Sequence, residues 1–211
     1  MYSSLLGWSA GAALAALALS AAARAGEGQT FTIDASASHG TVDVGKSGPF
    51  SFAAGHAHEV NIPAIEGTIV ADLDDLTRST LRLTIDARRL QVTGKGEPAK
   101  DVPEVQRIML SEKVLDVDRF PSIAFRSERV SITTRSSDEA ALVVSGVLTL
   151  HGVERPAKSA ARVRFVDQTT LTAAGRLQVK QTDYGIKPVS VGGLVSVKDA
   201  LDITFSIVAR R

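Results

Sequence analysis

Residues 171–180, LTAAGRLQVK, decide the fold class of this chain of 211 residues. Apolar or small residues occupy every second position of the segment, and Thr, Arg, Gln and Lys occupy most positions between them. A period of two gives a strand one buried and one solvated face, as in antiparallel sheets. The same alternation recurs at 80–86, 142–150 and 201–209, and weaker strand candidates lie at 31–34, 41–45, 49–53, 65–71, 122–132 and 160–166. The chain is therefore predicted to be all-β.

Strands in this number have to close on themselves or on a second sheet. Eight or more antiparallel strands do not remain a flat sheet with two exposed edges, so we expect a barrel or a sandwich. A barrel of about eight strands either fills its interior with side chains or holds one small ligand. Small residues at presumed inner positions favour a partly open interior, and these are Ala71, Gly146, Ala173, Gly175 and Ala209.

One segment departs from the strand pattern. Between 98 and 115 the apolar residues lie three to four positions apart, which predicts a short helical insertion. Asp101 is a candidate N-cap, and Pro103 fits the first turn of a helix. No linker or repeat divides the remaining chain, so a single domain is expected.

The N-terminal segment is almost free of polar side chains and ends in Ala-Arg-Ala at 23–25. Because the apolar run is short for a membrane span, we interpret 1–25 as a cleaved signal peptide and 26–211 as the mature domain. An uncleaved membrane anchor is the alternative. The chain has no cysteine, which excludes disulfides and thiolate metal sites and favours a bacterial periplasm.

Acidic and basic residues are evenly mixed along the mature chain. Only Arg24 of the 24 Lys and Arg lies in the predicted signal peptide, and the 23 Asp and Glu all follow it, so the mature net charge is zero. This balance predicts no nucleic-acid partner and no polybasic membrane patch.

Residues 55–60, GHAHEV, contain two of the four histidines. On a strand, His56 and His58 would point to the same face, where a metal site would need one further ligand. A turn or strand end whose imidazoles bond the backbone or water is the alternative, and Gly55 supports it. The sequence has no G-x-S-x-G elbow and no phosphate-binding loop, so no catalytic and no metal residue is assigned.

Three motifs resemble those of the YceI family, bacterial periplasmic proteins related in architecture to lipocalins. They are SEKVLDVDRFPSIAFRS at 111–127, SGVLTLHGVERP at 145–156 and TDYGI at 182–186. Typical members have a His-x-Gly run near the start, whereas this chain has the G-H-x-H segment, so it resembles a variant branch. The resemblance implies a lipocalin-like antiparallel barrel of about eight strands. It also implies an elongated apolar cavity that binds a polyisoprenoid chain or an isoprenoid quinone, with no other cofactor and no catalysis.

Alternation and corner positions give the candidate ligand-binding residues, although core packing is an alternative for each. These residues are Phe50, Phe52, His56, His58, Phe120, Phe125, Leu148 and Ile186. The leading hypothesis is a periplasmic carrier of an apolar isoprenoid lipid, with transient contact to the membrane or to membrane redox proteins and an open oligomeric state that includes a homodimer. The alternatives are a metal-dependent or hydrolytic enzyme that uses the histidine pair, and an envelope interaction protein with an incidental cavity.

Overall fold

The structure is a computed structural model that describes residues 28–48, 57–191 and 195–211. The predicted signal peptide, 1–25, lies outside the described residues. The candidate site residues Phe50, Phe52 and His56 lie in a second segment, 49–56, that is also outside them. No helix among the described residues is long and apolar enough to cross a membrane.

Twelve strands are described, and they belong to one antiparallel sheet. They are β1 (Gln29–Ile33), β2 (His39–Ser47), β3 (His58–Ile62), β4 (Glu66–Ala71), β5 (Thr80–Asp86), β6 (Gln91–Val92), β7 (Ser122–Arg135), β8 (Glu139–Leu150), β9 (Val153–Phe165), β10 (Thr170–Lys180), β11 (Ser190–Val191) and β12 (Val195–Arg210). One α-helix, α1 (Val102–Leu110), and three 3-10 turns, Leu76–Arg78, Ala87–Arg89 and Gln181–Tyr184, complete the elements.

Eleven of the twelve strands make up the eight wall strands of a closed barrel, and the two-residue β11 pairs only with β12. Along one side of β12, β1 pairs near Ala209 and β2 pairs from Ser206 to Ser196, so these two form one interrupted strand. β3 and β4 form a second interrupted strand, because β3 pairs with β2 and β4 pairs with β1. β5 and β6 form a third, because β5 pairs with β4 and β6 pairs with β3. From β5 the sheet runs through β7, β8, β9 and β10 to β12, which pairs with β1. The predicted closed antiparallel barrel of about eight strands is confirmed.

Local sequence explains two of the three interruptions. After β1, the Asp34 carboxylate accepts hydrogen bonds from the backbone N–H groups of Ser36 and Ala37, at 3.1 and 3.2 Å, which stabilises a turn. After β5, Asp86 accepts from the backbone N–H of Arg88 at 3.0 Å and begins the 3-10 turn that leads to β6. The backbone groups of these turns leave the sheet ladder, and the barrel wall bends there.

The predicted helical insertion is shorter than expected and lies against the barrel. Asp101 precedes α1 but makes no side-chain capping hydrogen bond, and Pro103 lies in the first turn. Gln106 attaches the helix to the wall, because its Oε1 accepts from the Val92 N–H at 2.7 Å and its Nε2 donates to the Leu90 carbonyl at 2.9 Å.

Candidate functional site

The interior of the barrel contains a cavity of about 450 Å³. Its wall comes from α1 and from β2 to β10 and β12. This volume falls within the roughly 300–1,000 Å³ of small-molecule sites. The described lining residues are all apolar except five, namely His58, Ser79, Thr80, Ser159 and Gln181. The site is therefore a hydrocarbon-lined chamber.

Three of the five polar side chains bond the backbone of the wall. The Ser159 hydroxyl donates to the Arg176 carbonyl at 3.1 Å, and the Gln181 amide donates to the Lys198 carbonyl at 2.8 Å. The Ser79 hydroxyl accepts from a backbone N–H at 3.1 Å. Because these groups already have partners, they add little polarity to the cavity surface.

The small inward residues have two different roles, which corrects the expectation that all of them open the interior. Ala161 and Ala173 line the cavity. Gly146 instead makes room for an aromatic ring, since a Cβ there would lie 2.8 Å from Cζ of Phe125. Likewise, a Cβ on Gly175 would lie 2.5 Å from Cζ of Phe205. The other two, Ala71 and Ala209, are buried in the core and are not among the lining residues.

Of the sequence-predicted site residues, His58, Phe125, Leu148 and Ile186 lie together on the cavity wall. Leu148 and Ile186 also belong to one buried cluster, with 8% and 3% of their surface exposed. Their role in ligand binding stays a prediction, as does that of Phe50, Phe52 and His56, which lie outside the described residues.

Phe120 is not among the lining residues. Its ring stands edge-on to the His151 ring at 4.7 Å between centroids, and the Arg119 guanidinium lies 5.0 Å above it. The absence of a side chain on Gly152 leaves space for this ring, and the backbone of that residue has a positive φ of 72°. Phe120 precedes β7, so it packs on the turn between β8 and β9 instead of entering the barrel.

His58 faces a buried carboxyl group at the cavity wall. Its Nδ1 lies 2.9 Å from Oε1 of Glu97, whose side chain is 1% exposed. The angle at this contact is not that of a hydrogen bond, and neither atom has a hydrogen-bond partner among the described residues. Nδ1 and Oε1 face each other, so the ring nitrogen of His58 that remains for another partner is Nε2.

The segment after β10 contributes Gln181, Ile186 and Val189 to the cavity wall. The 3-10 turn Gln181–Tyr184 ends at Gly185, whose φ of 75° lets Ile186 donate its N–H back to the Gln181 carbonyl at 3.1 Å. Burial raises the pKa of the Tyr184 hydroxyl, which is 2% exposed and stays neutral at pH 7. The turn is thus held by backbone bonds and by an uncharged aromatic side chain.

Within residues 28–48, 57–191 and 195–211, no three His, Asp or Glu side chains come together in a group that could hold a metal ion. His58 meets one carboxylate, that of Glu97.

Sequence reasoning missed two parts of the site. The helix presents Val105, Ile108 and Met109 to the cavity, and their three-to-four spacing was the signal that could have assigned them to the wall. Glu97 lies 39 positions after His58 in a loop, and no local pattern connects the two.

Comparison with known proteins agrees with this fold. The family model described as YceI-like domain matches residues 31–209. No curated protein matches the sequence. Among solved structures, the chain is similar to BcnA of Burkholderia cenocepacia, at 16% identity and a TM-score of 0.62 over 83% of this chain and 98% of that chain.

Two further structures have the same fold. A polyisoprenoid binding domain from Saccharophagus degradans, implicated in plant cell wall breakdown, is similar at 13% identity and a TM-score of 0.62, over 85% of this chain and 97% of that chain. A Campylobacter jejuni YceI protein is similar at 12% identity and a TM-score of 0.54, over 72% and 84%. At these identities the likeness concerns the barrel architecture.

Proposed function

The chain belongs to the YceI-like domain family, and we propose that it binds an apolar isoprenoid lipid, such as an isoprenoid quinone or a polyprenyl chain, without catalysing a reaction. The observation that supports this most strongly is the cavity of about 450 Å³ with its almost wholly apolar wall. The similar domain from Saccharophagus degradans is described as polyisoprenoid-binding, which favours the same ligand class.

Hydrocarbon burial is sufficient to account for affinity in such a cavity. Each CH₂ removed from water contributes about 0.8 kcal/mol, so a buried isoprene unit of five carbons contributes up to about 4 kcal/mol before the entropy of ordering the chain is subtracted. A long flexible lipid can therefore bind without a charged anchor.

We assign the polar end of the lipid to His58. Its Nδ1 faces the Glu97 carboxylate, so Nε2 is the ring nitrogen left for a ligand. A head-group oxygen that meets Nε2 would place the isoprenoid tail against the apolar wall. The head group and tail would then have separate partners in one cavity.

We further propose that the protein acts in the periplasm, with 1–25 removed as a signal peptide and 26–211 as the working domain. The apolar N-terminal run and the absence of cysteine support this location.

Lipid extraction tests the proposal directly. Organic extraction of the purified protein, followed by mass spectrometry, should recover an isoprenoid lipid. Delipidated protein titrated with quinones of increasing tail length should bind each longer tail more tightly until the cavity is full, because affinity follows the buried hydrocarbon. Recovery of no lipid, together with no binding of any quinone, would overturn the proposal.

The alternative of a metal-dependent or hydrolytic enzyme stays a prediction, because His56 lies outside the described residues. Metal analysis after chelation and reloading, on the wild type and on His58→Ala, separates the two functions. Stoichiometric metal that is lost in the variant would favour the enzyme, and equal trace metal in both proteins would end that alternative.

A further inference from the structure

The charges that are evenly mixed along the sequence become sorted by sign on the outside of the barrel. Strand alternation turns seven exposed basic side chains outward from β7, β9 and β10, beside three acidic ones. We call this surface the basic face, and its charged residues are Arg126, Arg129, Lys158, Arg162, Arg164, Arg176 and Lys180 with Glu128, Glu139 and Glu154.

Many of the basic side chains on the basic face have no acidic partner. Arg129, Lys158, Arg164 and Arg176 form no ion pair with any residue that the structure describes. Arg129 and Lys158 both stand opposite Ser145 of β8, which places their backbones about 10 Å apart, two strand spacings. Four unpaired cations on one surface create a positive field that an anionic partner would relieve.

The shape of the basic face suits a broad partner. Between the long basic side chains, the outward positions hold small residues, including Ala141, Ala160 and Ala174. A surface pocket of about 200 Å³ is lined by residues that include Arg155, Lys180 and Asp183, but the four unpaired cations Arg129, Lys158, Arg164 and Arg176 are not among them. An extended anionic surface matches this arrangement better than one isolated phosphate.

One exposed apolar side chain, Val166, lies at one end of the basic face. Val166 is 57% exposed and Ile132 is 36% exposed, and they are the large hydrophobic residues that the described chain exposes to solvent. Val166 lies on the β9–β10 hairpin, whereas Ile132 lies within β7 opposite Leu142 of the cavity wall and therefore faces the inner side. The β7–β8 and β9–β10 hairpins are joined by a hydrogen bond from the Phe165 N–H to the Asp138 carbonyl at 2.8 Å. Apolar tips beside arginines are typical of proteins that insert into the head-group layer of a bilayer.

Strands on the other side of the barrel carry a short acidic row, in which Glu59 forms an ion pair with Lys95 at 2.6 Å. Asp43 of β2 stands directly opposite Asp202 of β12 and Glu59 of β3, so three carboxylates form one row. A positive surface on one side and a negative row on the other give the barrel an electrostatic polarity that would orient it on a charged surface.

From the charge of the basic face and the exposed Val166 together, we propose that the basic face docks on a bilayer of anionic phospholipids, with the β9–β10 hairpin tip in the head-group layer. This inference is independent of what the cavity binds, since it concerns the outer surface of the strands. It names the membrane surface as the partner.

Vesicle binding tests the docking surface. Purified protein is sedimented with vesicles of equimolar phosphatidylcholine and phosphatidylglycerol that contain no isoprenoid lipid, at low and at high salt. A basic residue near such a surface changes the partition by about fivefold, so the triple variant Arg129→Glu, Lys158→Glu and Arg176→Glu should lose at least about a hundredfold. Val166→Ser should lower binding further at high salt, where the apolar contact persists.

A charge-matched control separates the surface from net charge. The control variant carries Arg89→Glu, Lys100→Glu and Lys113→Glu, three exposed positions outside the basic face. It changes the net charge by the same amount as the first triple variant. Vesicle binding that survives the control and is lost in the first triple variant supports the proposal. Equal losses in both triple variants, no wild-type binding to the vesicles, or tighter binding to duplex DNA than to the vesicles at the same salt would each overturn it.

Discussion

Filling the cavity from Ala161 should stabilise the empty protein and weaken lipid binding at the same time. Ala161 lines the cavity on β9, between Leu142 of β8 and Gly175 of β10. Ala161→Leu adds three carbons to an apolar space, and at about 0.8 kcal/mol for each carbon the delipidated protein should gain about 2 kcal/mol in its free energy of unfolding. The same space is denied to the lipid, so the affinity for an isoprenoid quinone should fall about fiftyfold.

The adjacent residue supplies the control. Ala160 is exposed on the outer surface of the same strand, so Ala160→Leu should change both quantities little, by less than about 0.5 kcal/mol. Urea unfolding of the delipidated proteins measures the first quantity, and calorimetric titration with one quinone measures the second.

A packed interior would give the reverse result for stability. An added side chain in a filled core typically destabilises by about 1–3 kcal/mol. If delipidated Ala161→Leu unfolds at a lower urea concentration than the wild type, with Ala160→Leu unchanged, the reasoning from an open cavity is refuted.

Three further changes test single features of the structure. Gly67→Ala should lower the free energy of unfolding by about 1–3 kcal/mol, because φ is 142° there and the new Cβ would collide with the Arg82 carbonyl; a urea midpoint equal to wild type would contradict the backbone geometry. His58→Phe should weaken quinone binding about fivefold, the worth of one hydrogen bond, and leave the binding of squalene, which has no head group, unchanged; equal losses for both ligands would exclude a head-group contact. The hydrogen bond from Arg78 lowers the pKa of Asp72 from 3.8, so this carboxylate stabilises the fold above that pH and the contribution is lost as the pH falls through the lowered pKa. Asp72→Asn should therefore flatten the acid loss of thermal stability below about pH 4, and an unchanged acid profile would remove Asp72 from that role.

Strand alternation predicted the barrel because a period of two is a local property of the sequence. Residues 171–180 lie entirely within β10, and the inward and outward sides follow the pattern of the sequence. The interruption of the early strands was not predicted, because the turn after Asp34 and the 3-10 turn after Asp86 depend on hydrogen bonds of single carboxylates. Such bonds give no periodic signal.

Sequence alternation placed a residue at the cavity wall where that residue belongs to a regular strand. It did not do so where contacts between distant parts of the chain determine the direction of the side chain. Phe125 and Leu148 lie on the inner side of regular strands and reach the cavity. Phe120 sits at a corner, and its direction is set by the neighbouring ring of His151. Glu97 reaches His58 from a distant loop, which no spacing rule connects.

The basic face was missed for a different reason. Net charge and mixing along the chain describe composition, whereas the field of a protein depends on which strands are neighbours and which residues face outward. Arg129, Lys158 and Arg176 are far apart in sequence and become neighbours only through the pairing of β7 to β10.

The pairing of Phe205 with Gly175 has a consequence for which lipids the barrel accepts. Gly175 has no side chain that could fill the chamber, and the ring of Phe205, which lies over it, occupies part of that space. In the lipid-binding function proposed above, the Phe205 ring would compete with the lipid tail for this part of the chamber. Phe205→Leu would enlarge the chamber beside Gly175, and under that proposal it should favour bulkier isoprenoids without any change in the strand itself.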